Sequence, residues 1–150
     1  MYALPGLRFS FSLLLGLTSL PLLTGCGGGA ASPDLRAASG NVTLNGNPVE
    51  GASISFFPTV QGGRSATGTT DASGNFKLSS FQKEDGALIG KYNVAITKFN
   101  PNYVMPEPGE EEKEPYNLLP ESFGDPGTSG LSAEVTADGE NFFEFGLNAN

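Results

Sequence analysis

The chain has 150 residues, with 8 Lys and Arg against 16 Asp and Glu, and no His or Trp. That is the length of one modest domain, long enough to bury a core without disulfides. The missing histidines exclude His-based acid–base catalysis and His-ligated metals, and a net charge of −8 argues against nucleic acid, whose binders need clustered Lys and Arg.

Residues 1–25 read as an address and not as fold. Arg8 and the amino terminus make a short positive region, and an apolar run then extends from Phe9 to Leu23 with no charge before Asp34. At about 15 residues this run is shorter than the roughly 20 of a spanning helix, and Pro21 interrupts it. It ends in Leu23-Thr24-Gly25-Cys26, which resembles the bacterial lipobox: an aliphatic residue, two small ones, then cysteine. The resemblance implies cleavage between Gly25 and Cys26 and acylation of the Cys26 thiol. More than one acyl chain gives lasting membrane anchoring where a single chain is marginal. Cys26 is the sole cysteine, so no disulfide partner competes for it within the chain. Gly27 follows it, with no Asp there, which by analogy with lipoprotein sorting points to the outer membrane of a bacterial envelope. Cleavage removes Arg8 alone among the charged side chains, so the remaining chain carries −9. Residues 26–37, opening on Gly27-Gly28-Gly29, read as a flexible tether, and residues 38–150 as the domain.

From Ala38 onward apolar residues alternate in short runs bounded by turn residues, the period of strands. Val42 and Leu44 share one face, and Asn45-Gly46-Asn47-Pro48 makes a turn. Ile54 and Phe56 follow, with Phe57 outward, and Pro58 stops that strand. A weak Thr-rich strand spans about Ser65 to Thr70, and Asp71-Ala72-Ser73-Gly74 is a hairpin turn. Phe76 and Leu78 alternate next, a loop covers 82–90, and Tyr92, Val94 and Ile96 point inward from the strongest strand. Between about 100 and 120, five prolines and the run Glu110-Glu111-Glu112-Lys113-Glu114 exclude regular pairing. Leu118, Leu119 and Phe123 read as anchors that return the chain to the core. Two last strands carry Leu131 and Val135, then Phe143, Phe145 and Leu147, with Phe142 out of phase. The expectation is an all-β fold, a seven-stranded antiparallel β-sandwich of Greek-key type.

Three segments carry a family resemblance: Gly40-Asn41-Val42-Thr43-Leu44-Asn45-Gly46-Asn47-Pro48-Val49-Glu50-Gly51-Ala52, Thr70-Asp71-Ala72-Ser73-Gly74-Asn75-Phe76, and Gly90-Lys91-Tyr92-Asn93-Val94-Ala95-Ile96. In this order they resemble the carboxypeptidase-regulatory-like domains, which are transthyretin-like β-sandwiches. The resemblance covers about residues 38–98 and implies fold, not activity. The segment Leu119-Pro120-Glu121-Ser122-Phe123 through Leu131 resembles an extension of small bacterial lipoproteins of this type.

No segment places a nucleophile beside a base. Consecutive glutamates diverge, so 110–114 reads as a solvated acidic loop before it reads as a calcium site; Asp71 with Ser73 reads as a turn. Asn41-Val42-Thr43 matches a glycosylation sequon by chance. The hydroxyisourate hydrolases share the suspected fold but use histidines, which this chain lacks. The expectation is therefore a non-enzymatic lipoprotein with no cofactor, no metal and no nucleic-acid partner. It would touch the membrane through its lipidated amino terminus and an envelope protein or glycan through its domain. A purely structural spacer is the alternative, and a carboxylate enzyme using Glu121 and Asp125 the third reading. A contiguous apolar or aromatic patch facing solvent separates binding from spacing. Phe57, Tyr103 and Tyr116 are the exposed aromatic candidates, each unremarkable alone.

Overall fold

The computed structural model describes residues 34–149. The signal segment 1–25, its cleavage site at Gly25 and Cys26, and most of the tether lie outside the described residues. Those described are all-β, with one four-residue 3-10 turn at Glu121–Gly124 and no α-helix.

Ten strands are present among them: β1 Leu35–Arg36, β2 Ser39–Leu44, β3 Asn47–Pro48, β4 Ser53–Pro58, β5 Ala66–Thr69, β6 Asn75–Lys77, β7 Ala87–Leu88, β8 Gly90–Thr97, β9 Leu131–Val135 and β10 Phe142–Leu147. One sheet runs β5-β4-β8-β9, all antiparallel. The other centres on β2, with β10 on one edge and β3 and β6 sharing the opposite edge. The count exceeds seven because three pairing segments are only two residues long, too short to show alternation. The antiparallel expectation also needs correction. β10 runs parallel to β2, with Ser39 opposite Phe142 and Leu44 opposite Leu147. Pairing already begins inside the stretch expected as tether, where β1 pairs antiparallel with β7 inside the expected 82–90 loop.

The turn chemistry follows the sequence closely. Asn45 and Gly46 both take positive φ, 50° and 82°, the signature of the two-residue hairpin turn that matches strand twist. At the second hairpin the Asp71 carboxylate accepts from the Ser73 and Asn75 N–H groups at 2.8 and 2.9 Å. This hairpin carries the chain from one sheet to the other: β6 pairs with β2, while Ser79, two residues on, pairs with Thr67 of β5.

Side chains from both sheets meet in one core. Phe56 of β4 lies at its centre, with Tyr92, Phe76, Phe143 and Phe145 at ring distances of 5.4–6.5 Å, all of them edge-on or tilted. Such geometries suit the ring quadrupoles. Val42, Ile54, Leu78, Val94, Ile96 and Leu147 are buried as expected, and Leu44, Leu131 and Phe143 pack against the core while partly exposed. Phe142 faces outward. Ala95 alternates with the inward set yet is buried. The Glu121–Gly124 turn lies along β8, and a Cβ on Gly124 would sit 3.2 Å from the Thr97 methyl.

Candidate functional site

The segment expected to be irregular between 100 and 120 has an ordered neck. Just past the end of β8 at Thr97, Phe99 pairs antiparallel with Asn117 in an isolated bridge. Leu118 N–H donates to Lys98 C=O at 2.9 Å, and Asn100 N–H to Tyr116 C=O at 3.0 Å. Two side-chain amides lock this short ladder. The Asn117 Oδ1 accepts from the N–H groups of Lys98 and Leu119, at 2.8 and 3.2 Å. The buried Asn100 gives its Nδ2 to the Pro115 carbonyl at 2.9 Å and takes the Asn102 N–H at 3.0 Å. Prolines at 101 and 115 cannot donate, so amide side chains do what a ladder would do elsewhere. Leu119 is buried in the core just beyond the neck.

This neck brings three rings together. Phe99 and Tyr103 each meet Tyr116 edge-on, at 5.1 and 5.2 Å between centroids. Phe99 is 56% exposed and Tyr116 59%, while the following Val104 and Met105 are 79% exposed. One exposed apolar residue is ordinary, but a contiguous set is not. Desolvation pushes the Tyr103 phenol above its usual pKa, and the charge of Glu112 and its hydrogen bond to the phenol add to the rise. A neighbouring cleft of about 380 Å³ is lined by Val104, Met105 and Pro106 on one hand and Glu110, Glu111 and Lys113 on the other. The surface is thus aromatic and aliphatic with a carboxylate rim.

A second concavity, of about 680 Å³, is wider and more polar. Ser39, Thr67, Thr69 and Asn75 line it, with Phe142 and the Lys77–Glu84 ion pair at its edge. The ion pair is 3.1 Å long, and Lys77 holds the Glu84 carboxyl below its usual pKa, first by hydrogen bond and then by charge. Asp71 also reaches this groove, with its carboxylate turned onto its own hairpin.

Of the residues singled out from sequence, Tyr103 and Tyr116 come together, while Phe57 lies on β4 opposite Asn93. Phe99 completes the cluster. The sequence marks it only in that Phe99-Asn100-Pro101 and Pro115-Tyr116-Asn117 each group an aromatic, an asparagine and a proline. Asp125 closes a turn by accepting the Gly127 N–H at 2.6 Å, and Glu121 is exposed on the 3-10 turn. Asn41 lies on β2 with its Nδ2 donating to Ser73 C=O and Asn75 Oδ1. Among the described residues, no three Asp, Glu, Cys or His side chains converge to hold a metal ion. No family model matches the chain, and neither a curated protein nor a solved structure does.

Proposed function

We propose that the chain is a lipoprotein of the bacterial envelope, anchored through Cys26, whose transthyretin-like β-sandwich carries a non-catalytic binding surface on the loop between 99 and 117. The fold part of this reading draws on two four-stranded sheets that share a core, with the three sequence motifs on β2, on the β5–β6 hairpin and on β8. The binding part rests on one observation, the cluster of Phe99, Tyr103 and Tyr116, in which Phe99 and Tyr116 are exposed and Tyr103, expected to be exposed, is half-buried between them and the loop. A spacer has no use for such a cluster, and edge-on rings held by a locked neck are already ordered, so little entropy is lost when a partner covers them. The Glu110–Glu114 rim suits a protein partner that brings Lys or Arg alongside apolar contacts.

The test is crosslinking of the full lipidated chain in its native envelope. Replacing Phe99 and Tyr116 together by serine should abolish a partner band that the parent protein gives. A band that persists, or none with either protein, sends the reading to the spacer. Anchoring is tested separately. Cys26→Ser should eliminate acyl labelling and release the protein from membranes, and unchanged partitioning would refute it.

A further inference from the structure

The corner where the chain enters the domain differs in chemistry from the aromatic loop. Asp34 is pinned there, its carbonyl accepting the Ile89 N–H at 2.8 Å. A concavity of about 250 Å³ beside it is lined by Val60, Arg64, Ile89 and Lys91. Val60 is 63% exposed, and Ile89 is exposed as well. Arg64 Nε donates to Ser80 C=O at 2.7 Å, and its guanidinium lies 4.2 Å above the exposed ring of Phe81. That hydrogen bond and cation–π contact hold the cation beside the apolar residues. The adjoining turn adds Lys83 and Glu84, and Asp85, whose carboxylate is turned onto the Ser80, Phe81 and Gln82 N–H groups.

We infer that this corner rests on an anionic phospholipid surface, with Val60, Phe81 and Ile89 at headgroup level and Arg64 and Lys91 against the phosphates. The inference builds on the anchoring proposed through Cys26. Eight residue steps separate Cys26 from Asp34, and eight residues span at most about 29 Å in any conformation. The corner is therefore held near the bilayer by covalent reach. A tether raises the local concentration, so a contact too weak to recruit a free protein still orients an attached one. Exposed alkyl and aromatic groups with Arg64 and Lys91 among them have the composition of interfacial surfaces, while Glu84 is paired with Lys77 and Asp85 is turned onto backbone N–H groups.

Charge is distributed to match. Lys91 stands at the start of β8, and the acidic loop follows its end. Six residue steps of strand, Lys91 to Thr97, put that corner and the root of the loop roughly 20 Å apart. The run Glu110–Glu114 would be repelled by an anionic surface, and it lies beyond the far end of β8 from the corner that the tether holds. The consequence is that the aromatic cluster is presented away from the lipid.

The chain contains no Trp, so a single introduced tryptophan reports without background. The full lipidated protein, reconstituted in vesicles of phosphatidylethanolamine and phosphatidylglycerol, would carry Val60→Trp, Ile89→Trp or Tyr116→Trp. Lipids brominated on their acyl chains should quench and blue-shift the tryptophans at 60 and 89 and leave the one at 116 unaffected. Adding Arg64→Glu with Lys91→Glu to the Val60→Trp protein should restore its emission. Equal quenching at all three positions overturns the inference, as does charge reversal without effect. Should the protein fail to float with the vesicles and Cys26 carry no acyl mass, the anchoring reading fails instead, which the same preparation distinguishes. Two reporter positions guard against one substitution disturbing the fold.

Discussion

Two acidic loops of this domain are built on opposite plans. In the loop between β6 and β7 a single aspartate organises the backbone. Asp85 takes the N–H groups of Ser80 and Gln82 at 2.7 and 2.8 Å and that of Phe81 at 3.0 Å. Desolvation alone would push its carboxyl up, but these donors together hold it below the usual carboxylate range. Glu84 N–H is taken by the Ser79 hydroxyl, and Gly86 N–H returns to Leu78 C=O. Between Phe99 and Asn117, in the connection from β8 to β9, the carboxylates are more numerous and organise little of the backbone. Its order comes from Asn100 and Asn117 at the neck, and Glu110 to Glu114 are exposed beyond it. What orders a loop is whether several N–H groups converge on one acceptor, not how many carboxylates it carries.

The sharpest way to break this comparison uses two glycines with nearly the same backbone. Gly86 and Gly109 have φ of 97° and 99°. A Cβ on Gly86 would fall on the Arg36 carbonyl, whereas one on Gly109 meets nothing within 4 Å. Gly86→Ala should cost more than about 3 kcal/mol in urea unfolding, because backbone must move. Gly109→Ala should cost about 1 kcal/mol, the strain of a left-handed residue alone. Equal costs would mean that the two loops are tied to the core alike.

A smaller effect is expected at the neck. Asn117→Ala removes the acceptor for two backbone donors and should cost about 1–3 kcal/mol, with faster hydrogen exchange at the Lys98 and Leu119 amides. If those amides stay protected, the pairing of Phe99 with Asn117 holds the neck without the amide side chain.

The smallest effect is in the pH profile. Because folding depresses the Asp85 pKa, its contribution is present above the unfolded value, about 3.9, and is lost as pH falls through the folded value. Asp85→Asn should flatten the acid limb of a stability–pH curve below about pH 4 while leaving its neutral-to-alkaline part parallel to the parent.

The longer strands were legible because alternation and turn chemistry are local. Ile54 and Phe56, Tyr92 through Ile96, and the Asp71 and Asn45-Gly46 turns needed only their neighbours to be read. Partner and direction are not local. Nothing in Phe143, Phe145 and Leu147 says that they will align parallel to Val42 and Leu44. Leu35–Arg36 gave no signal because two residues cannot alternate. Ala95 fell in the outward set, and its burial is a tertiary fact. At the candidate site, Tyr103 and Tyr116 stand out singly in the sequence, but their meeting with Phe99 depends on Asn100 and Asn117 bonding across the loop. Such side-chain-to-backbone bonds have no period to reveal them.

The parallel pairing of β2 with β10 also governs when the domain can be finished. Ser39, among the earliest residues of the domain to be synthesised, finds its partner in Phe142, almost the last. A chain emerging amino-terminus first, from a ribosome or through any narrow pore, exposes β2 long before β10 exists to cover its edge. Closing so long a loop is slow, since its entropy must be met before the contact is made. In the interval the hairpin from β5 to β6 can form from neighbours, but the sheet centred on β2 stays open on one side. An unpaired edge invites other strands, so β2 stays open to mispairing until β10 has emerged to cover it.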